Sequence, residues 1–247
     1  MAKARRFFEE DIRAGQEQVE IRGEEFIHIK KVLRLEVGSP VILLNGKGLE
    51  LTGVIEAFNK DSALVKVEAS SEKAGESSVS VTLLQALLKG DKPELIVQKA
   101  TELGAARIIF YTNERTVPAP AADKIAGKLE RLRRIAIEAV KQCERSVLPA
   151  IDLVSYDEAL ALCGDDRGVI LYACETKNSL KKSLSFLAGG KGICLLVGPE
   201  GGFTEDEVGR AVAAGFVTAG LGRRILRSET AAIAALAIVQ YEFGDME

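Results

Sequence analysis

The spacing of apolar and polar positions changes near residue 70, and the chain divides there. Up to about Ala69 the apolar runs are short and broken by turns. Val41–Leu44 is closed by Asn45-Gly46-Lys47-Gly48, a strong turn signal. Leu49–Phe58 and Ala63–Val67 alternate apolar and polar residues on either side of Asn59-Lys60-Asp61, which predicts a hairpin. One helix is expected over Glu24–Leu35, burying Phe26, Ile27, Ile29, Val32 and Leu33. A small β-barrel with one helix accommodates this pattern. The polar Ser/Gly/Glu stretch at 69–78 predicts a linker, with domains over residues 1–70 and 79–247 and the linker itself over 71–78.

After the linker, apolar runs of strand length alternate with helical periodicity. Strands are expected over Val79–Leu88, Arg107–Tyr111, Ile151–Val154, Gly168–Ala173 and Ile193–Val197. Between them, a helix starts at Asp91-Lys92-Pro93-Glu94 and stops at Gly104, a C′ glycine. Further helices are expected over Ala121–Glu144, Tyr156–Cys163 and Asn178–Leu187. Strictly alternating strands and helices imply an α/β domain with a parallel sheet.

Two strand-end loops in that domain have the composition of a ligand site. Ile193–Val197 runs into Gly198-Pro199-Glu200-Gly201-Gly202-Phe203, and Thr204 with Glu207 then spells a capping box that opens a helix. Glycines without Cβ allow positive φ and close approach of a ligand to the backbone, and ligands of open α/β sheets bind at the carboxyl ends of strands. A tight turn with no ligand is an equal reading of this loop in isolation. It is neither a P-loop nor a G-x-G-x-x-G loop. Glu200 at its centre disfavours a polyanion and suits a neutral or cationic ligand. The second loop ends Phe216-Val217-Thr218-Ala219-Gly220-Leu221-Gly222. Arg223-Arg224-Ile225-Leu226-Arg227-Ser228-Glu229-Thr230 follows, and then the strongly helical Ala231–Val239.

Composition narrows the partners. The 247 residues are 47% hydrophobic and 28% charged, ordinary for a globular chain. With a formal charge of -3 and a pI near 5.6, any RNA contact must come from a local positive field. The long helix holds Lys124, Lys128, Arg131, Arg133, Arg134 and Lys141, with Arg145 just after it. It is the most basic segment, and a solvated charged face is its ordinary explanation. Aromatic content of 5% disfavours a broad base-stacking platform. Cys143, Cys163, Cys174 and Cys194 are scattered singly, beside one histidine, His28. They read as buried small residues, and no metal site is expected. The N-terminus lacks an apolar h-region and no stretch is long enough to span a bilayer, so a cytoplasmic protein without membrane contact is expected.

The pair GPEGGF and LGRRILRSETA, in that order and separation, resembles the signature of the RsmE-type RNA methyltransferases of the SPOUT superfamily. The resemblance extends to His28-x-x-x-Val32-Leu33-Arg34 followed by Gly38, to Lys89-Gly90-Asp91-Lys92 with Lys99-Ala100-Thr101-Glu102-Leu103-Gly104, and to Asn113-Glu114-Arg115-Thr116. Gln142 and Arg145 match the family's end of the long helix, where Lys141 and Cys143 depart from its Glu and Ser. The resemblance implies a SPOUT parallel sheet with a C-terminal trefoil knot, preceded by a PUA-like barrel that helps bind RNA. It implies S-adenosylmethionine held among Leu171–Glu175, Val197–Gly202 and Leu221–Arg227, with Leu171, Tyr172, Leu196, Val197, Gly198, Glu200, Gly201, Leu221, Gly222, Ile225 and Leu226 as the contact residues. Arg227 is the candidate catalytic cation. Glu229 either orients it or is only a first-turn carboxylate, the simpler role. Arg5, Arg6, Lys30, Arg34, Arg115, Arg131, Arg134 and Arg145 are the RNA candidates, with Lys3 and Lys31 as further phosphate contacts. The implied reaction is methylation of N3 of a uridine in small-subunit ribosomal RNA by a homodimer, the apolar helix after Glu229 lying in the interface. A non-catalytic RNA-binding assembly protein on the same scaffold is the alternative, and a Rossmann-type nucleotide binder is disfavoured by the missing G-x-G-x-x-G.

Overall fold

The computed structural model describes residues 4–72, 75–113, 115, 121–188 and 190–246. Of the positions singled out above, Lys3, Glu114 and Thr116 lie outside them. The chain forms two compact units. One comprises residues up to Glu76 with Val140–Leu148, and the other Ser77–Ala139 with Pro149–Glu247.

The first unit is a five-stranded sheet ordered β1-β3-β4-β5-β2, from Arg5–Phe8, Pro40–Leu44, Leu49–Phe58, Ala63–Glu72 and Gln18–Ile21. β1 runs parallel to β3 and the other pairs are antiparallel. The predicted hairpin is β4–β5, and its inward positions Leu51, Ile55 and Val65 pack with Phe7, Ile21, Val41 and Leu43. The expected helix differs. A short α1 (Gly23–Ile27) passes into a π-helical turn over His28–Val32, in which Leu33 N–H donates to the His28 carbonyl at 2.9 Å. The wider turn breaks the 3.6-residue spacing. Of the expected buried set Ile29 alone is fully buried, Phe26 and Leu33 are half-buried, and Ile27 and Val32 are 48% and 66% exposed. The expected linker is also partly ordered strand, because β5 continues to Glu72. Glu76 then accepts hydrogen bonds from the Arg145 side chain and from the N–H groups of Ser146 and Val147.

The second unit is a six-stranded, wholly parallel sheet ordered β11-β9-β10-β6-β7-β8. Its strands are β6 (Val81–Ala86), β7 (Arg107–Thr112), β8 (Ala150–Ser155), β9 (Arg167–Leu171), β10 (Ile193–Val197) and β11 (Val217–Ala219). Every residue of β10 is buried, as expected of a strand covered on both faces. The helices are α2 (Lys92–Glu102), α3 (Ala122–Cys143), α4 (Tyr156–Ala161), α5 (Leu180–Leu187), α6 (Glu205–Ala213) and α7 (Ser228–Phe243). The predicted stop of α2 at Gly104 holds, with φ +77°, whereas Asp91 makes no side-chain cap. The predicted capping box of Thr204 and Glu207 opens α6. Two of the cysteines are not isolated. The fold brings Cys163 and Cys194 to a Cα separation of 6.2 Å as a disulfide, because the turn after α4 and the β10 strand share one core cluster. Sequence spacing carried no trace of that long-range pairing.

Candidate active site

Register alone gathers the site. Val197 and Ala219 both pair with Leu171, so β9, β10 and β11 end side by side and their loops emerge together. They enclose a cavity of about 550 Å³, lined by Leu171–Cys174, Val197–Phe203 and Ala219–Ser228 with Lys92, Arg115 and Ala231.

The backbone of these loops is pinned from below. The Tyr111 hydroxyl donates to the Val197 carbonyl at 2.8 Å, and the Ser228 hydroxyl donates to the Gly198 carbonyl at 2.5 Å. Gly198 does not take positive φ. It is glycine because a Cβ there would lie 2.8 Å from the Phe203 ring. Positive φ falls instead at Gly202, +69°, and Gly222, +106°. Among the described residues, the nearest atoms to a Cβ at Gly201 would be those of the Arg115 side chain, at 3.4 Å or more. The β9 loop is tied down by Glu175. Its carboxylate accepts from Thr218 Oγ1 at 2.6 Å and from the N–H groups of Asn178 and Lys177, and these bonds hold it at a pKa of about 2.

Charge in the cavity is arranged by Lys92, at the start of α2. Its ammonium donates to Glu200 Oε1 at 2.8 Å and lies 3.8 Å from Glu229 Oε2. The Glu200 hydrogen bond holds Lys92 above its ordinary pKa. Partial burial is the largest single influence on Glu200 and pulls it up, but the Lys92 bond, a backbone hydrogen bond and the charges of Lys92 and Lys89 together outweigh it and leave the carboxyl below its ordinary value. Glu200 is therefore already neutralised, and it does not bar an anion as expected. Arg115 Nη1 donates to the carbonyls of Gly201 at 3.0 Å and Phe203 at 3.3 Å, and Arg223, Arg224 and Arg227 line the cavity as well. With Glu200 paired to Lys92, cations dominate the rim. The sequence offered only the second lysine of K-G-D-K as a signal for Lys92, and helix-start position was its obvious explanation.

The proposed cofactor residues all line the cavity except Leu196. Leu196 is fully buried in the core with Leu84, Ile109 and Ile170, because successive β10 side chains alternate between faces. Arg227 is exposed on the cavity wall. Glu229, in the first turn of α7 and 8% exposed, does not line the cavity, and its ion-pair partner is Lys92.

Residues 75–240 match the RNA methyltransferase domain family, and residues 21–68 match the RNA methyltransferase PUA domain. The ribosomal RNA small subunit methyltransferase E of Bacillus subtilis is 36% identical over 90% of this chain and 89% of its own. The chain belongs to the ribosomal RNA small subunit methyltransferase E family. Its counterpart in Rickettsia conorii is 32% identical over 92% of this chain and 91% of its own. Among solved structures, a putative methyltransferase of Legionella pneumophila in complex with the bound cofactor SAM superposes with a TM-score of 0.89 at 31% identity, covering 99% of this chain and 100% of that one. The family member of Neisseria gonorrhoeae bound to S-adenosyl methionine gives 0.88 at 30% identity, with coverage of 99% and 100%. The first unit is thus the PUA-like domain of the family and the parallel sheet its methyltransferase domain.

The RNA candidates divide. Arg5 and Arg34 are exposed, and Lys30 is exposed with its ammonium 5.5 Å and 5.1 Å from the Phe26 and Phe58 ring centres. Arg131 and Arg134 are 69% and 70% exposed at the side chain, paired with Glu94 and Glu130. Arg115 faces the cavity. Arg6 and Arg145 are corrections. The Arg6 side chain is 10% exposed and paired with Glu50, and that of Arg145 is 4% exposed and paired with Glu76 at 2.8 Å. Both guanidiniums are consumed inside the first unit, as is Lys141 by Glu25 at 2.9 Å. A buried arginine must be paired, and a side chain this far from solvent cannot reach a phosphate of the RNA backbone.

Proposed function

We propose that this protein transfers a methyl group from S-adenosylmethionine to N3 of a uridine in small-subunit (16S) ribosomal RNA. The observation that carries the reading is the cavity formed by the three strand-end loops, with its apolar wall and its cationic rim. Its size is that of a small-molecule site. The fit to the cofactor rests on this structure's own groups. Bare backbone at Gly222 admits close approach, and Leu221, Ile225 and Leu226 offer apolar contact to an adenine. The solved relatives from Legionella and Neisseria, named as bound to the same cofactor, support it.

When bound, the cofactor supplies an electrophilic methyl group on a sulfonium. N3 of uridine is an imide nitrogen that keeps its proton at neutral pH, so the difficulty left to the protein is the negative charge that develops on the uracil carbonyl oxygens as that proton passes to solvent water or hydroxide. Arg227, exposed on the wall, stabilises that charge as an oxyanion donor. Lys92 is held protonated by Glu200 and is not the base. Glu229 keeps Lys92 in place as a first-turn carboxylate. The exposed Arg5, Lys30 and Arg34 of the PUA-like domain and Arg131 and Arg134 of α3 contact phosphate. The same reading includes the C-terminal trefoil knot, action as a homodimer in the cytoplasm, and α7 in the dimer interface. α7 supports this by carrying apolar residues around most of its circumference, with Ile238 and Tyr241 exposed at 39% and 71%.

Incubation with under-methylated small subunits, followed by mapping of the modified base, tests the reaction. N3-methyluridine is expected, and methylation of another atom or none would overturn it. Arg227→Ala is expected to keep most of its cofactor affinity while losing methyl transfer. In the wild type, single-turnover rates rise with pH until the uridine ionises. A normal rate for Arg227→Ala would remove that residue from the mechanism.

A further inference from the structure

Below the cavity floor lies a polar chain with one possible direction. Gln85, on β6, is fully buried and sits opposite Val197 in the sheet register. Its Nε2 donates to the Ala86 carbonyl at 3.0 Å and to Ser228 Oγ at 2.9 Å, and Ser228 Oγ donates to the Gly198 carbonyl at 2.5 Å. Each carbonyl can only accept. The Ala86 carbonyl fixes the amide orientation of Gln85, and the Gly198 carbonyl consumes the Ser228 hydroxyl proton, so Ser228 Oγ must accept from Gln85. The chain joins three segments far apart in sequence: the central strand, the first residue of α7, and the loop that opens Gly198–Phe203. Ser228 also follows Arg227 directly and lines the cavity.

We propose that Gln85 and Ser228 are positioning residues for methyl transfer, a role that rests on the methyltransferase reading above. They turn the Gly198 carbonyl inward and lock the Gly198–Pro199 peptide. That sets the path of the Glu200–Phe203 backbone along the cavity. The same hydroxyl anchors the start of α7 and with it the origin of the Arg227 side chain. One hydrogen-bonded chain therefore holds the cofactor loop and the catalytic cation in register with each other. A buried carbonyl stripped of its donor would instead turn toward solvent and carry the loop with it.

The test uses the full chain with Ser228→Ala, Ser228→Thr, Gln85→Leu and the Gln85→Leu/Ser228→Ala double variant. Titration with S-adenosylmethionine and S-adenosylhomocysteine reads the loop. Single-turnover methylation at saturating cofactor reads Arg227, and amide exchange over residues 200–203 reads the loop without any ligand. Ser228→Ala should weaken cofactor binding about tenfold, the effect of leaving a buried carbonyl unpaired. It should also slow single-turnover transfer and speed exchange of those amides. Ser228→Thr keeps the hydroxyl and should restore all three to within about threefold. The double variant should resemble Ser228→Ala rather than the product of the single effects, since both remove one chain. Wild-type affinity, rate and exchange in Ser228→Ala would overturn the proposal, as would a Ser228→Thr variant no better than Ser228→Ala. Lower melting temperature with unchanged binding and exchange would reduce the chain to a packing element. Failure of the wild type to bind S-adenosylmethionine would overturn the methyltransferase reading, while the ligand-free exchange comparison would still decide the chain.

Discussion

Substitution of Gly198 by alanine measures how tightly the cofactor loop is fitted to its support. The added Cβ would lie 2.8 Å from Phe203 Cε2 and 3.1 Å from Cδ2 and Cζ. Carbon pairs settle at about 3.5–4.0 Å, so a gap of at least a few tenths of an ångström must open. Phe203 is 6% exposed and packs beside Tyr156, whose ring centre is 6.3 Å away, so the ring has little room to swing. The overlap must then be relieved by moving the loop backbone against the hydrogen bonds that pin the Val197 and Gly198 carbonyls. Overpacking of this kind costs about 1–3 kcal/mol. If the displaced loop transmits that cost to the ligand, the dissociation constant for S-adenosylmethionine rises about 5- to 150-fold. Gly201→Ala provides the contrast, because among the described residues its Cβ comes nearest to the flexible Arg115 side chain, at 3.4 Å. Its effect should stay within about 0.5 kcal/mol, or roughly twofold. Calorimetric titration with a parallel thermal melt distinguishes the two. Adding Phe203→Leu to Gly198→Ala should recover part of the lost affinity. Gly198→Ala binding within twofold of wild type, or Gly201→Ala proving the worse of the pair, would refute the packing argument.

The first unit should lose stability as pH rises from about 4.5 to about 7. Burial, then Glu25 and Asp11, push Glu9 up to about 7, so the native state keeps a proton that the unfolded chain releases. Since this carboxyl is half-buried, the slope is expected to be well below the full ~1.4 kcal/mol per pH unit, and denaturant melts of Glu9→Gln should be flatter over that window. RNA affinity should fall steeply with salt despite the net charge of -3. Arg131→Gln with Arg134→Gln should reduce the logarithmic salt slope by about 1 to 2 and leave cofactor binding intact; an unchanged slope would move the phosphate contacts elsewhere. Sedimentation should show a dimer at micromolar concentration, and Tyr241→Glu on the exposed part of α7 should shift it toward monomer; a stable wild-type monomer would remove the interface.

What the sequence by itself determined is whatever local chemistry dictates. The hairpin of β4 and β5, the capping box of Thr204 and Glu207, the stop at Gly104 and the alternation of strands with helices all follow from neighbours within a few residues. The strand-end glycine loops were legible too, and their residues line the cavity, but Lys92 and Ser228, which also line it, were not, and Leu196 was assigned to a wall when alternation along β10 turns it into the core. The π-helical turn at His28–Val32 escaped because periodicity assumes 3.6 residues per turn. The rest depended on long-range neighbours. Whether an arginine is a free cation or a paired one is fixed by residues elsewhere in the chain, so Arg6 with Glu50 and Arg145 with Glu76 could not be told from Arg131 and Arg134 by composition. The same holds for Cys163 with Cys194, and for Lys92 with Glu200, which reverses the electrostatic meaning of the glycine loop. Gln85 is the extreme case: a polar residue in a largely apolar strand means nothing until the fold brings Ser228 and the Gly198 carbonyl to it. Only tertiary structure chooses a partner, because hydrogen bonds and ion pairs act over a few ångströms of space, whatever the distance along the chain.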